Sequence, residues 1–425
     1  MKTEYMPRIA DRLLAEALED SGAVLIEGPK WCGKTRLGEN AAKSFLYLHD
    51  PDRGAEYLRL AEVKPSRLLE GEAPRLIDEW QDAPTLWNAV RFTVDQRGGT
   101  GHFILTGSTV PRDERPGETK RHSGTGRIAR LKLLPMSLFE SGESSGDVSL
   151  AALFEGTEDG DGRARLDIDG IAHATCRGGW PEAVASGGPR SLRRAKNYLD
   201  TLVGDDLQRM EDAPKNPFRA RAVLRSLARN VSTLATAKTI MDDMKANDSS
   251  ISDKTLSEYL NALRRLFVVQ DEPAWAPRLR SRASVRTSAK RQFADPSIAA
   301  AALGATPSRL LDDLNAFGFF FESLAVRDLR VYVSALGGEV LHYHDETDLE
   351  CDAILQLGDG RWGAVEVKLG GRDVDKAADN LLTLANKVDT SKCGKPAFLL
   401  VLTGTELAYR RPDGVFVCPL AALRE

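Results

Sequence analysis

The stretch IEGPKWCGKTRL, residues 26–37, restricts this chain more than any other. Gly28 and the triplet Gly33-Lys34-Thr35 stand at the spacing G-x-x-x-x-G-K-[ST], a loop whose successive backbone N–H groups close around a polyphosphate. Glycine supplies the dihedrals and the close approach that such a loop needs. The apolar run AVLIE (23–27) before it predicts a short buried strand, and KTRLGENAAKSF after it predicts a helix. The positive end of that helix would face the anion. On this reading Gly28, Pro29, Lys30, Trp31, Cys32, Gly33, Lys34, Thr35 and Arg36 cradle ATP. Lys34 would reach the terminal phosphates as a point charge, and the Thr35 hydroxyl would ligate Mg²⁺.

A hydrolase of this kind also needs acids. PRLIDEWQD places Asp78 and Glu79 after the apolar pair Leu76-Ile77, at the exposed end of a buried strand. Asp78 would hold the metal and Glu79 would act as general base. The next apolar run, HFILTGS, ends in Thr106, Gly107 and Ser108. Ser108 either senses the terminal phosphate or caps a turn. Arg127, in SGTGRIARL, either reaches the γ-phosphate of its own or a neighbouring subunit or makes a surface ion pair.

Composition bounds the rest. At 425 residues the chain has room for about three domains, and 42% hydrophobic with 28% charged residues is a globular balance rather than a disordered one. No apolar run is long enough to span a bilayer. The first twenty residues read as an amphipathic helix interrupted by Asp11, Glu16, Glu19 and Asp20, not as a signal peptide. Five scattered cysteines without a C-x-x-C pair imply neither a zinc site nor a disulfide framework, and a cytoplasmic location is expected. The net charge of −4 argues against coating by nucleic acid and leaves room for a local basic patch.

From 23 to about 140, short apolar runs (AVLIE, FLYLHD, RLIDEW, HFILTGS, ARLKLLPMSLFE) alternate with helical stretches, the pattern of a parallel sheet covered on both faces. The segments SGESSGDVS and EGTEDGDGRA resemble surface connections. From about 170 to 310 the pattern is helical, clearest in SDKTLSEYLNALRRLFVV, where Leu256, Tyr259, Leu260, Leu263, Leu266 and Phe267 recur at helix spacing. From about 315 a helix and several strands form a further α/β module.

Taken in order, the phosphate loop, LIDEWQDAP, ILTGS, GRIARLKLLPMSLFES, GGWPEA, RQFADPSIAAAALG and the terminal ESLAV…ECDAIL…EVK resemble the prokaryotic AAA-type ATPases with a C-terminal DUF4143 domain. The resemblance covers nearly the full length. It implies an AAA-like P-loop domain (1–145), a helical, winged-helix-like middle (165–310) and a C-terminal module (311–425) similar to restriction-endonuclease-like folds. The loop 109–127 is longer than a tight sensor turn requires, so the correspondence around Arg127 is loose.

Two further groups of residues carry chemistry. In AVEVKL, strand alternation puts Glu366 and Lys368 on one face. Asp352, in LECDAILQL, would sit on the adjacent antiparallel strand, and Glu322, in FFFESLAVRDL, on a helix. Together they resemble the D…E-x-K site of restriction-endonuclease-like nucleases, with Asp352, Glu366 and Glu322 as Mg²⁺ ligands and Lys368 positioning water. A vestigial or purely binding module would keep the same residues. PRLRSRASVRTSAKRQF (277–293) holds six basic residues and no acidic one, so segment 278–291 is a candidate contact for a DNA or RNA backbone. The family resemblance implies instead that Lys290 and Asp295 belong to a structural turn, and a protein partner or a second copy of the chain is the alternative to nucleic acid.

Overall fold

The computed structural model describes residues 4–109, 123–210, 216–246, 251–277 and 288–425. Two compact units divide the chain. One holds the residues up to Leu134 together with Arg265–Phe267, the other Pro135–Arg264 with Val268–Glu425.

In the first unit, α1 (Ile9–Asp20) leads into β1 (Ala23–Glu27), followed by α2 (Lys34–Ala41), β2 (Ser44–Tyr47), α3 (Gly54–Val63), β3 (Arg75–Asp78), α4 (Thr85–Arg97), β4 (Phe103–Gly107) and β5 (Ile128–Lys132). All five strands are parallel, in the order β2-β3-β4-β1-β5. Every residue of β4 is buried, as are the first four of β1, which is what a strand covered on both faces requires. Leu25, Ile77, Leu105, Trp80, Leu86 and Val90 share one core cluster. Each expected strand is present, and α2 ends at Ala41 rather than running on to Phe45, because Ser44–Tyr47 pairs with β3. The register sets Glu27 beside Gly107 and Ile77 beside Leu105. Gly28, Asp78 and Ser108 therefore emerge together at the carboxyl edge, where ligands of such sheets bind.

The second unit begins with strands. SGESSGDVS and EGTEDGDGRA lie largely at the surface, as expected, and each also contributes a two-residue strand that pairs with the C-terminal part. β6 (Val148–Ser149) pairs with the terminal β14 (Leu423–Arg424). β7 (Gly162–Arg163) pairs with β12 (Leu407–Arg410), and Phe154 packs edge-on against Phe398 at 5.0 Å. These pairings join residues some 250 positions apart, beyond the reach of any local sequence pattern. Helices then dominate, among them Ile168–Arg177, Gly188–Thr201, Pro217–Arg229, Ala237–Ala246 and Asp253–Arg265. After Asp253–Arg265 the chain turns into two antiparallel bridges, Val269 with Phe293 and Glu272 with Lys290. Beyond Pro296–Leu303 comes the long helix Leu314–Ser334, then the antiparallel meander β8 (Gly338–His344), β9 (Glu350–Leu357) and β10 (Trp362–Lys368). The helix Val374–Lys387 crosses over to β11 (Leu399–Thr403), which is parallel to β10, and β13 (Phe416–Pro419) follows. The sheet order is β7-β12-β13-β11-β10-β9-β8.

Candidate functional site

The phosphate loop is built on two glycines at positive φ, a conformation that side chains rarely adopt. Gly28 has φ of 159°, and a Cβ there would lie 2.1 Å from the Leu133 carbonyl oxygen. Gly33 caps α2 in the left-handed region, φ 101°. Between them Trp31 is also left-handed, φ 66°, and exposed. The Lys34 ammonium lies in the bowl, donating to the Gly28 and Pro29 carbonyls at 3.0 and 2.9 Å. Lys30 is half-buried, and Arg36 on α2 pairs with Glu39 at 2.9 Å. Cys32 is fully buried, and burial pushes its thiol up, so it packs the loop and is no nucleophile.

Thr35 and Asp78 meet. The Thr35 hydroxyl donates to Asp78 Oδ1 at 2.8 Å, and Thr106 donates to the same oxygen at 2.7 Å. Burial holds Asp78 above the usual carboxylate range, with the two hydroxyls pulling the other way. The Thr35 hydroxyl and the Asp78 carboxylate are oxygen donors of the kind that a hard cation such as Mg²⁺ takes. Glu79 is left-handed, φ 55°. Its N–H donates to Thr106 Oγ1 at 2.9 Å, and its Oε2 accepts from Ser108 at 2.8 Å and from Gln81. Thr106 thus joins Asp78 and Glu79 through one hydroxyl. Gln81 was not among the residues expected here, and nothing in DEWQD distinguishes it from a surface glutamine.

Arg8 is a second unforeseen member. It is buried and donates to the carbonyls of Cys32 at 3.0 Å and Leu134 at 2.8 Å, tying the loop to the end of β5. Arg127 falls elsewhere. Its carbonyl accepts from the Ala23 N–H, at the start of β1, and its guanidinium pairs with Asp95 at 2.8 Å. It therefore stands at the amino edge of the sheet, a strand length of ~16 Å from the phosphate loop, and does not reach the γ-phosphate of its own subunit.

In the second unit Glu322, Asp352, Glu366 and Lys368 do come together. One step beyond the Val365–Ala353 register, Lys368 Nζ bridges Asp352 Oδ2 at 3.2 Å and Glu366 Oε2 at 2.7 Å. The Val367 N–H donates to Asp352 Oδ2 at 2.8 Å, and Asn380 to Glu366 Oε1 at 2.7 Å. Lys290, which lies in the candidate contact 278–291 and by resemblance in a structural turn, is buried, 2.8 Å from Glu322 Oε1 and 3.5 Å from Asp352 Oδ1. Arg291 is paired inward too, with Asp271 at 2.8 Å. Any backbone contact of this segment falls to 278–287, outside the described residues. Burial opposes the charge on Asp352, but Lys290 and Lys368 outweigh it and hold that carboxyl low. Burial pushes Glu322 up to about 8. Among the described residues, no group of three or more His, Cys, Asp or Glu is arranged to hold a metal ion.

Three family models match this chain: an AAA domain over residues 20–141, the domain of unknown function DUF4143 over 317–423, and a further domain of unknown function, DUF8612, over 168–309. The chain thus carries an AAA domain followed by a C-terminal DUF4143 domain, the domain order of that type of AAA ATPase. Its first unit is accordingly an α/β P-loop NTPase fold, and the protein is a nucleotide-binding ATPase by family. Similar proteins include uncharacterised proteins of Mycobacterium tuberculosis and Mycobacterium bovis. Each is 24% identical over 364 residues, 85% of this chain and 73% of theirs. Among solved structures, the Walker-type ATPase PABY2304 of Pyrococcus abyssi is 15% identical with a TM-score of 0.43, covering 71% of this chain and 97% of that one. The replication initiator DnaA bound to AMPPCP and single-stranded DNA is 15% identical with a TM-score of 0.27, covering 62% and 90%. Among the described residues no helix is long and apolar enough to cross a membrane.

Proposed function

We propose that the protein binds ATP in the loop Gly28–Thr35 and hydrolyses it, with Asp78 and Thr35 holding Mg²⁺ and Glu79 as general base. The observation that carries this reading is the hydrogen-bonded set Thr35–Asp78–Thr106–Glu79–Ser108 at the mouth of the loop. Bound Mg²⁺ would neutralise charge developing on the phosphate oxygens. Lys34 exchanges its two carbonyl partners for phosphate, the loop N–H groups orient the triphosphate, and Glu79 accepts a proton from the attacking water. Ser108 and Gln81 fix the Glu79 carboxylate.

For the C-terminal module, the order helix, β8-β9-β10, helix, β11 supports a nuclease-like domain that contacts nucleic acid under the control of nucleotide state. The pairing of Glu322, Asp352 and Glu366 with Lys290 and Lys368 favours the second reading, a nucleotide-dependent switch that binds a protein partner or its own copies. Calorimetry with ATP and a phosphate-release assay test the first part. Lys34→Ala is expected to lose binding. Glu79→Gln is expected to bind normally and turn over about 10²- to 10⁴-fold more slowly, and normal turnover would remove Glu79 from the role. Plasmid incubated with Mg²⁺ or Mn²⁺, with and without ATP and beside Glu366→Ala, separates the two C-terminal readings: cleavage lost in the variant selects the nuclease, intact plasmid throughout the switch.

A further inference from the structure

The four-residue acidic centre of the second unit has a fifth member that no sequence motif includes. Lys290 is not a mobile surface lysine. Its N–H and its carbonyl are both spent on Glu272, in a reciprocal pair of 2.9 Å hydrogen bonds. The strand segment that carries Glu272 continues to Trp275, whose N–H donates to the His342 carbonyl on β8 at 2.7 Å. The backbone thus fixes the Lys290 Cα against the edge of the sheet, and the side chain runs inward to Glu322 and Asp352. It also meets the Asp352 carbonyl at 3.3 Å. Of its side chain, 10% is exposed.

A divalent ion shared by Glu322 and Asp352 would need oxygens at about 2.0–2.6 Å and room for several more ligands. The ammonium already bridges those two carboxylates, while Lys368 and the Val367 N–H engage the other Asp352 oxygen. The residues present therefore do not fit Mg²⁺. We propose that Lys290 is the resident cation of this centre, so that the wild-type module takes no divalent ion between Glu322 and Asp352 and its acids serve as an ion-paired hub. Glu272, fully buried, also acts electrostatically on the same ammonium. This assignment does not depend on the ATP reading.

The test is a Mn²⁺ titration of the full chain without nucleotide, read by electron paramagnetic resonance. Wild type and Asp352→Asn are expected to bind Mn²⁺ indistinguishably. Lys290→Met is expected to gain a site at least tenfold tighter than any in wild type, and Lys290→Met with Asp352→Asn to lose it again. A wild-type site that disappears in Asp352→Asn overturns the proposal, and so does a folded Lys290→Met protein that gains none. Should Lys290→Met fail to fold, the wild-type and Asp352→Asn comparison decides alone, and Lys290→Arg, which keeps the charge, is expected to fold and to bind no Mn²⁺ in the centre.

Discussion

Thr106 is completely buried at the end of β4, and its one hydroxyl serves two acids. Donating to Asp78 and accepting from the Glu79 N–H, it holds the proposed metal ligand and the proposed base in a fixed relation, with Glu79 in the left-handed region that a bulky residue ordinarily avoids. Thr106→Val keeps the shape and removes both bonds. Turnover is expected to fall roughly tenfold, the effect of about 1.4 kcal/mol on the barrier. The dissociation constant for ATP should stay as it was, and Thr106→Ser should restore the rate. Steady-state kinetics beside calorimetry distinguish this from a general loss of fold. Serine and threonine after an apolar run do not announce such a role, since the same residues cap turns everywhere. The hydrogen-bond geometry decides between the two.

Elements meet in the second unit through contacts too tight for substitution. GGWPEA is a packing corner. Trp180 is buried, stacks on Tyr198 at 4.6 Å and donates to Ser297 at 3.0 Å, while the Gly179 N–H donates to Asp295 at 2.9 Å. A Cβ on Gly179 would stand 2.1 Å from the Met136 carbonyl oxygen. Gly179→Ala is expected to destabilise by about 3 kcal/mol in urea unfolding, whereas Gly318→Ala, in the open on the helix Leu314–Ser334, should be neutral or slightly stabilising. The pairing of Glu272 with Lys290 has a pH signature. Burial raises Glu272 to about 7 from its ordinary 4.5, with Lys290 and Arg330 pulling it down and Asp352 pushing it up. Because the folded value is the higher one, the associated stability is present below pH 4.5 and is lost as pH rises through 7. His342, lowered to about 4 by burial and by Lys290, works in the opposite sense below its ordinary 6.5. Above pH 6.5 the carboxyls govern, Glu322 adding to Glu272. Glu272→Gln is therefore expected to flatten the decline in stability between pH 6.5 and 8.5 by on the order of 1 kcal/mol, measured by urea melts at each pH.

At the scale of the whole molecule, nucleotide binding must appear as stability, because a ligand bound to the folded chain alone draws the equilibrium toward it. With ATP and Mg²⁺ at a hundred times the dissociation constant, the first unit is expected to gain about 2.7 kcal/mol. The corresponding calorimetric transition should move upward in wild type and stay in place in Lys34→Ala. A second transition that does not move would report a unit unfolding independently. The sequence by itself determined the parallel P-loop sheet, the loop residues 28–35 and the acids at 78 and 79, because these rest on spacing and alternation within a few tens of residues. It also named Glu322, Asp352, Glu366 and Lys368 as partners across three elements. What tertiary structure alone decided lies at longer range. It set Arg127 at the far edge of the sheet, drew Lys290 out of a basic run into a ring of acids, and paired β6 and β7, within surface connections, with the C-terminal part. A residue's local neighbours fix its secondary structure, but whether its charge meets water, phosphate or a buried carboxylate depends on which distant strand the fold lays beside it.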